Sequence, residues 1–160
     1  MNKLIVAYDQ NRGIGAGGDL LWQRDLPADL SHFRKLTLDK TVIMGRLTFE
    51  SLGQKPLPRR QNIVVSRRPV DQSNVTWASS LSDAFSKSQY EPFVIGGSSI
   101  YEQAIDSVDE IYATEVQAEF PAADRFFPEL GPDWLEVSRQ SQSADQNNRY
   151  GFDFVTFRRR

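Results

Sequence analysis

Residues 93–103, FVIGGSSIYEQ, combine a short apolar run, a turn at Gly96 and Gly97, and a segment that predicts a helix. Residues 41–51, TVIMGRLTFES, repeat this order with one glycine, Gly45, between the predicted strand and the predicted helix. Short continuous apolar runs are typical of strands that are buried on both faces of a mostly parallel sheet. The two stretches therefore predict an α/β fold, in which ligands usually lie beyond the carboxyl ends of the strands.

The rest of the chain extends this α/β pattern. Strands are expected at Leu4–Tyr8, Thr41–Met44, Asn62–Ser66, Pro92–Ile95 and Ile111–Val116, and a late antiparallel pair at Trp134–Gln140 and Phe152–Arg158. Helices are expected at Pro27–Leu38, Thr48–Leu52, Leu81–Ser88 and Ser99–Ile105. The pattern predicts one domain over residues 1–160, with a mostly parallel sheet and an antiparallel edge.

The composition excludes several classes of protein. The chain has 160 residues, of which 39% are hydrophobic, and a formal net charge of -2, so no global basic field would attract nucleic acid. The absence of cysteine excludes disulfides and a thiolate nucleophile, and the single histidine, His32, argues against a histidine-rich metal site. No apolar stretch approaches the roughly 20 residues of a membrane span, and Met1–Lys3 lacks a signal-peptide layout. A cytoplasmic protein without a metal is expected.

The glycine-rich stretch 13–22, GIGAGGDLLW, matches the G-x-G-x-x-G spacing of dinucleotide-binding folds. That fingerprint needs a helix that begins inside the glycines, whereas the first helix start lies at Pro27, with Asp25 as a candidate cap. An acidic residue at a strand end about 20 residues further on is also missing. Two interpretations remain open: a mobile flap that carries Leu20–Trp22 over a cleft, or an ordinary flexible connection.

An aspartate lies on the apolar side of the first predicted helix. At about 100° per residue, one arc of that helix contains Leu26, Leu30, Phe33 and Leu36, and Asp29 falls inside this arc. A buried carboxylate costs several kcal/mol unless it is paired or neutralised, and burial raises its pKa toward the range useful for proton transfer. Asp29 is therefore a candidate catalytic acid, or else an edge residue that reaches water. His32 lies at the margin of the arc and is expected to be exposed.

Three predicted strands end in turns suited to phosphates. Gly45 and the Gly96–Gly97 pair let the backbone approach a ligand closely, and the helix starts that follow present free N–H groups. A third strand ends in Ser66–Arg68, which adds a hydroxyl and two guanidinium groups to that of Arg46. Together they favour a ligand with several phosphates, such as NADP rather than NAD, although each turn alone is compatible with ordinary turn chemistry and solvated charge.

Over nearly its whole length the sequence resembles the dihydrofolate reductases. The resemblance rests on LIVAYDQNRGIG, LLWQRDLPADLSHFRKLTLDKTVIMGRLTFESLG, PLPRRQNIVVSRRP and FVIGGSSIYEQ, and on the order of Trp22, Asp29, Phe33, Arg46 and Thr48. It implies a three-layer α/β/α fold with a mostly parallel central sheet and an antiparallel C-terminal edge strand. It also implies NADPH-dependent reduction of 7,8-dihydrofolate, with hydride transfer to C6 and protonation of N5, in support of one-carbon metabolism and thymidylate synthesis.

The resemblance implies catalytic roles for Asp29, Trp22 and Leu20. Asp29 would bind the pterin and promote N5 protonation by way of water, Trp22 would hold an ordered water, and Thr114 would hydrogen-bond Asp29. The implied substrate-binding residues are Ile5, Val6, Ala7, Asp29, Leu30, Phe33, Leu52, Leu57, Arg60, Ile95, Tyr101 and Thr114. Arg60 would pair with the substrate's α-carboxylate, but Arg59 beside it leaves open which arginine does so.

The resemblance assigns the three turns to NADPH. The implied cofactor-binding residues are Ala7, Ile14, Gly15, Leu20, Gly45, Arg46, Leu47, Thr48, Ser66, Arg67, Arg68, Ile95, Gly96, Gly97, Ser98, Ser99, Ile100 and Tyr101. Among them, Arg46, Ser66 and Arg67 would surround the 2′-phosphate, and the Gly96–Gly97 peptide would be cis. The glycine-rich stretch would be a lid that Asp124 steadies, and Gly17–Gly18 would make this lid unusually loose.

Some features leave alternatives open. Residues 23–25 lengthen the link from Trp22 to the first helix relative to the common bacterial form, so the path of this link is not fixed by the resemblance. Two rival functions are a pyrimidine reductase of riboflavin synthesis, which shares the fold and cofactor, and a non-catalytic nucleotide- or folate-binding module. The resemblance further implies a monomer that binds antifolate inhibitors and has no nucleic-acid or membrane partner.

Overall fold

The computed structural model describes residues 1–16, 20–22 and 24–160. The strands are β1 Lys3–Tyr8, β2 Gly13–Gly15, β3 Thr41–Gly45, β4 Gln61–Val65, β5 Val75–Ala78, β6 Pro92–Gly96, β7 Glu110–Val116, β8 Arg125–Phe126, β9 Trp134–Gln142 and β10 Phe152–Arg159. The helices are α1 Pro27–Thr37, α2 Arg46–Ser51, α3 Leu81–Lys87 and α4 Ser98–Ala104. Every predicted strand and helix is present, whereas β2, β5 and β8 were not predicted. None of the helices in the described ranges is long and apolar enough to cross a membrane.

Eight strands form one sheet in the order β5-β4-β3-β6-β1-β7-β10-β9. The first six strands in this order, β5, β4, β3, β6, β1 and β7, are mutually parallel. Strand β10 is antiparallel to both of its neighbours, β7 and β9. The antiparallel C-terminal strand therefore lies one position inside the edge, and β9 forms the edge itself. A mostly parallel α/β domain is confirmed.

The alternation of side chains along each strand assigns the helices to two faces of the sheet. Met44 of β3 packs in one cluster with Phe49 of α2, whereas its neighbour Ile43 packs on the opposite face with residues of α3 and α4. Ala7 of β1 lies on the same face as Met44 and packs in a cluster with Ala28 of α1. Helices α1 and α2 thus cover one face and α3 and α4 the other, which is the predicted three-layer arrangement.

A crevice opens between β1 and β6 toward their carboxyl ends. β1 pairs with β7 along its whole length, but its described pairs with β6 are only Lys3 with Phe93 and Leu4 with Val94. Beyond these pairs the hydroxyl of Tyr101, on α4, is 2.8 Å from the carbonyl oxygen of Ile5 and 2.8 Å from that of Ile95. Its single proton is shared between these two acceptors, so Tyr101 bridges the base of the crevice.

The glycine-rich stretch does not form a dinucleotide fingerprint in its described part. Gly13–Gly15 forms strand β2, which pairs antiparallel with β8, and no helix begins before Pro27 in the described residues. A Cβ atom on Gly13 would lie 2.8 Å from the Cβ of Ala123, so this glycine permits close packing of two chain segments. Gly17 and Gly18, predicted to loosen the lid, lie outside the described residues.

Candidate active site

Helix α1 receives its N-terminal cap from a distant loop. The residue at the N-cap position is Leu26, which is 1% exposed, and its own side chain makes no cap hydrogen bond. The backbone N–H of Ala28 instead donates to Oδ1 of Asn148 at 3.0 Å. The prediction that Asp25 caps this helix is wrong, because the Asp25 carboxylate faces Arg149, with 3.5 Å between Oδ2 and Nη1.

Asp29 lies in the first turn of α1 and contacts the central sheet. The hydroxyl of Thr114 on β7 donates to Oδ1 of Asp29 at 2.7 Å, the hydrogen bond that the family resemblance implies. Thr114 is 3% exposed and pairs with Ala7 of β1, which borders the crevice. Burial raises the pKa of the Asp29 carboxyl above its ordinary value, and the Thr114 hydrogen bond partly offsets this rise. Asp29 is therefore a largely desolvated acid rather than a residue in bulk water.

The same acid influences the phenol at the base of the crevice. Burial raises the pKa of Tyr101, and the negative charge of Asp29 raises it further. Tyr101 therefore stays protonated at neutral pH and keeps its hydrogen bonds to the backbone of β1 and β6. This coupling brings Asp29 and Tyr101, which lie on helices on opposite faces of the sheet, into one electrostatic environment.

The apolar side of α1 is only partly covered by the protein. Leu26 is buried and Phe33 is partly buried, whereas Leu30 is 49% exposed. Leu52, a predicted substrate-binding residue, is 36% exposed, and Leu20, a predicted catalytic and cofactor-binding residue, is 39% exposed. Large apolar side chains that remain exposed near a desolvated carboxylate are typical of a ligand cleft.

His32 is not exposed as predicted. Its ring stacks on that of Phe154 with centroids 3.8 Å apart, because Phe154 of β10 extends beneath α1. Burial and the nearby charge of Lys35 lower the pKa of His32, so the ring is neutral at neutral pH. His32 thus helps pack α1 on the sheet.

Trp22 packs against the loop between β7 and β8. Its ring lies 6.1 Å from that of Phe120, and Trp22 is 2% exposed. The N–H of Phe120 donates to Oδ2 of Asp9, while the N–H groups of Asn11 and Gly13 donate to Oδ1 of the same carboxylate. Asp9, which sequence reasoning missed, thus joins the start of the glycine-rich stretch to the segment that supports Trp22. The signal that could have revealed Asp9 is an acidic residue directly after the apolar strand β1.

The three predicted phosphate turns lie side by side at the carboxyl ends of three adjacent strands. β4, β3 and β6 are adjacent, and in their ladders Gly45 pairs with Val65 and Met44 with Gly96. The residues that follow these pairs, Arg46, Ser66 and Gly97, therefore lie together at the carboxyl ends of the three strands. The predicted cis peptide between Gly96 and Gly97 is present.

Glycine is required where α2 and α4 begin side by side. A Cβ atom on Gly45 would lie 3.0 Å from Cγ1 of Ile100, and one on Gly97 would lie 3.3 Å from Oγ1 of Thr48. Gly96 has a φ of +126°, a backbone conformation that L side chains rarely adopt. Gly45 and Gly96 are buried and Gly97 is partly buried, so these glycines allow the starts of α2 and α4 to pack closely together.

The arginines beside these turns extend toward solvent. The side chain of Arg46 is 54% exposed and lies 3.5 Å from Glu50, one turn further along α2. Arg67 and Arg68 are both exposed at the end of β4. These cations can reach an anionic ligand without first being released from a buried ion pair.

Arg59 and Arg60 have different environments. Arg59 has a φ of +60° and pairs with Asp39 at 2.9 Å on the surface. Among the described residues, Nε of Arg60 is the buried side-chain polar atom that has no hydrogen-bond partner. Burial and the neighbouring Arg34 lower the pKa of Arg60, while Asp39 opposes this effect. Arg60 is therefore the arginine that is available to a carboxylate ligand.

A buried asparagine shapes the turn that presents Arg60. Asn62 is 1% exposed, and its Oδ1 accepts from the N–H of Leu57 at 2.8 Å. Its Nδ2 donates to the carbonyl oxygens of Leu57 and Arg60. Sequence reasoning missed Asn62. The signal that could have revealed it is the presence of a polar amide within an apolar strand.

The side chains of some predicted site residues do not point into the cleft. Val6 and Ile100 pack in the core beneath α3 and α4, so only their backbone could contact a ligand in the crevice. Asp124 lies beside β2, and its N–H donates to the carbonyl oxygen of Gly15 at 2.9 Å. Within the described ranges, no three His, Asp or Glu side chains are grouped so that they could hold a metal ion.

The fold and sequence match known proteins over almost the entire chain. A family profile described as dihydrofolate reductase matches residues 1–159. The dihydrofolate reductase of Bacillus subtilis is 40% identical, with 100% of this chain and 95% of that protein covered. The dihydrofolate reductase of Haemophilus influenzae is also 40% identical, with 98% of each chain covered.

A solved structure shows the same architecture. It is a dihydrofolate reductase from Enterococcus faecalis complexed with NADP(H) and RAB-propyl, with a TM-score of 0.89 and 35% sequence identity. The match covers 99% of this chain and 96% of that one. The chain belongs to the dihydrofolate reductase family.

Proposed function

We propose that this chain catalyses the NADPH-dependent reduction of 7,8-dihydrofolate to 5,6,7,8-tetrahydrofolate. The observation that carries the proposal is the largely desolvated Asp29 carboxyl, which is bonded to Thr114 at the crevice between β1 and β6. When bound, NADPH supplies the hydride that is added to C6, while N5 gains a proton. The residues of the chain bind and orient the two ligands and control this proton.

The three turns fit NADPH. At Gly45, Gly96 and Gly97 the absence of a side chain permits a close approach of the backbone, because a Cβ atom there would meet Ile100, Tyr101 or Thr48. We assign the pyrophosphate to these turns, and the 2′-phosphate to the exposed Arg46 and Arg67 with Ser66 and Arg68 beside them. The Enterococcus faecalis relative, solved with NADP(H), supports the choice of cofactor. The remaining predicted cofactor contacts, including Ile14, Leu20 and Tyr101, stay part of this proposal.

Asp29 has the environment of a group that binds the pterin and handles a proton. Its carboxylate would accept hydrogen bonds from the 2-amino and N3 region of the ring, with Thr114 fixing its orientation. The raised pKa makes the protonated form accessible nearer neutral pH than for an ordinary aspartate. We propose that Asp29 promotes N5 protonation through a water held by Trp22. The Asp29 carboxylate itself binds the 2-amino and N3 region of the ring, so the proton reaches N5 by way of this water.

Arg60 would bind the tail of the substrate. Arg60 precedes β4, at the amino ends of the parallel strands. It lies near Arg34 of α1, toward the opposite end of that helix from Asp29. The Arg60 guanidinium has no carboxylate within ion-pair distance in the described structure and its Nε has no protein partner, so two of its N–H groups remain for a bidentate bond with the α-carboxylate. Leu30 and Leu52, both predicted substrate-binding residues, would then contact the apolar middle of the substrate.

The proposed reaction also defines a metabolic role for this protein. Tetrahydrofolate produced by this reaction would support one-carbon metabolism and thymidylate synthesis, and antifolates would compete for the same cleft. We propose that residues 1–160 act as one domain, as a cytoplasmic monomer without a nucleic-acid or membrane partner. The net charge of -2 is consistent with the lack of a nucleic-acid partner.

A spectrophotometric assay tests this function. The purified chain should consume NADPH only when dihydrofolate is added, and NADH should support a lower rate. A chain that binds both ligands without turnover would be a binding module. A chain that consumes NADPH with a pyrimidine intermediate of riboflavin synthesis, but not with dihydrofolate, would be a pyrimidine reductase. Either result would overturn the proposal.

A further inference from the structure

The first turn of α1 depends on a residue outside the helix. Proline at position 27 has no N–H, and the N–H groups of Asp29 and Leu30 both point to the carbonyl oxygen of Leu26, at 3.1 and 3.4 Å. The remaining N–H of this turn, that of Ala28, has Asn148 as its acceptor. A helix whose own N-cap residue is a leucine loses a stabilising contact unless another group supplies it.

The orientation of the Asn148 amide is fixed on its other side. Its Nδ2 donates to Oδ1 of Asp145 at 3.1 Å, and the N–H groups of Asn147 and Asn148 donate to the same Oδ1. Since the Asp145 carboxylate can only accept, the Nδ2 of Asn148 must face it and Oδ1 must face Ala28. Asn148 is 7% exposed, so water does not readily replace these bonds.

The loop between β9 and β10 also holds the lengthened link before α1. The N–H of Arg149 donates to the carbonyl oxygen of Asp25 at 2.9 Å, and the side chains of these residues form an ion pair. The loop therefore contacts the chain on both sides of Leu26. It leads directly into β10, which pairs with β7 so that Phe154 lies opposite Thr114.

We infer that Asn148 is a positioning residue for Asp29, a conclusion that rests on the proposed function of this site. Asn148 fixes the backbone of the turn that carries Asp29, and Thr114 fixes the carboxylate. Thr114 belongs to β7 and Asn148 to the loop that leads into β10, the strand paired with β7, so the acid keeps one position relative to the crevice. Neither the helix nor the lengthened link provides this constraint by itself.

Three variants of the full chain test this role. Asn148→Ala removes the cap. Asp145→Ala removes the acceptor that fixes the orientation of the Asn148 amide, so the amide can turn its Nδ2 toward Ala28 and no longer accept from it. Asn147→Ala is the matched control, because Asn147 is an exposed neighbour whose side chain makes no hydrogen bond in the described structure.

Single-turnover hydride transfer is measured against pH, together with the dissociation constant of NADPH. We expect Asn148→Ala to lower the rate at neutral pH by about tenfold, the effect of losing about 1.4 kcal/mol of transition-state stabilisation, and Asp145→Ala to lower it in the same direction. The apparent pKa of the pH–rate profile should fall in both variants, because a frayed turn exposes Asp29 to water. NADPH affinity should change by less than about twofold. Asn147→Ala should behave like the wild type.

A wild-type rate and pH profile in both Asn148→Ala and Asp145→Ala would overturn the inference. An equal loss of rate and NADPH affinity would also overturn it, because that pattern indicates a general structural defect. An NMR titration of the Asp29 carboxyl gives a readout that is independent of turnover. If the wild type fails to reduce dihydrofolate, the proposed function fails, whereas an unchanged Asp29 titration in the variants contradicts the positioning role.

Discussion

The hydroxyl of Thr114 donates to the carboxylate of Asp29 over 2.7 Å, although the two residues are 85 positions apart in the sequence. The bond connects the first turn of α1 with β7, whose neighbour β1 forms one side of the crevice. It holds a largely desolvated acid at a fixed place beside the site proposed for the reacting rings.

Thr114→Val removes the hydrogen bond while keeping the shape of the side chain. Because this bond lowers the pKa of Asp29 against the effect of burial, its loss should raise that pKa further. We expect the apparent pKa of the pH–rate profile to rise and the KM for dihydrofolate to increase about tenfold, in line with the loss of about 1 to 1.5 kcal/mol. Steady-state kinetics across pH provides the measurement. Thr114→Ser keeps a hydroxyl and should stay close to the wild type.

Asp29→Asn should stabilise the protein as it removes a desolvated charge. The folded-state pKa of Asp29 is raised above its unfolded value, so the ionised carboxylate weakens folding as pH rises through this range. Below the unfolded pKa, about 4, both states are protonated and the destabilising effect is absent. At neutral pH the variant should have a Tm about 2 to 4 °C higher, the shift caused by about 1 kcal/mol. A lower Tm for Asp29→Asn at neutral pH would contradict the burial argument.

Arg60→Gln should weaken binding of dihydrofolate through its carboxylate. Loss of a charge-assisted bidentate bond costs about 1.5 to 3 kcal/mol, so KM should rise about 10- to 100-fold. With a dihydropterin that lacks the carboxylate-bearing tail, wild type and variant should show the same KM. Arg59→Gln is the matched control, since Arg59 pairs with Asp39 at the surface, and it should have little effect. A larger effect at Arg59 than at Arg60 would reverse the assignment.

Replacing Arg46 and Arg67 with glutamine should narrow the preference for NADPH over NADH. Their proposed partner, the 2′-phosphate, is absent from NADH, so the loss should appear only in the NADPH kinetics. We expect about a tenfold fall in the ratio of kcat/KM values for each substitution, which corresponds to about 1.4 kcal/mol. Arg158→Gln, an exposed arginine beside Glu110 at the other end of the sheet, serves as control. An unchanged ratio would remove Arg46 and Arg67 from this role.

Local sequence pattern predicted the layers of the fold because each element carries its own signal. The buried strand before Gly45 and the helix after it are visible as a change in hydrophobic periodicity. The short strands β2 and β8 gave no such signal, because they depend on two segments more than 100 residues apart that meet only in the folded chain. Strand β5 has only four residues, three of which are partly buried, which is too short a run for a clear periodicity.

Site residues with local motifs were also predictable, whereas those that act through distant partners were not. Asp29 is visible as an acid within an apolar arc, and Arg60 through the family resemblance. By contrast, the cap from Asn148 and the bonds of Asp9 to Phe120 join positions that are 120 and 111 residues apart. The cap prediction at Asp25 failed for this reason, since local spacing did not reveal the competing partner Arg149.

The most direct test of the account is single-turnover hydride transfer by Asp29→Asn, measured from acidic to alkaline pH with saturating NADPH and dihydrofolate. We predict a strong loss of rate at neutral pH, a partial recovery in acid as solvent protonates the substrate, and nearly unchanged binding of NADPH. A variant that matches the wild-type rate across this range would contradict the central claim, because Asp29 would then not govern protonation of the substrate.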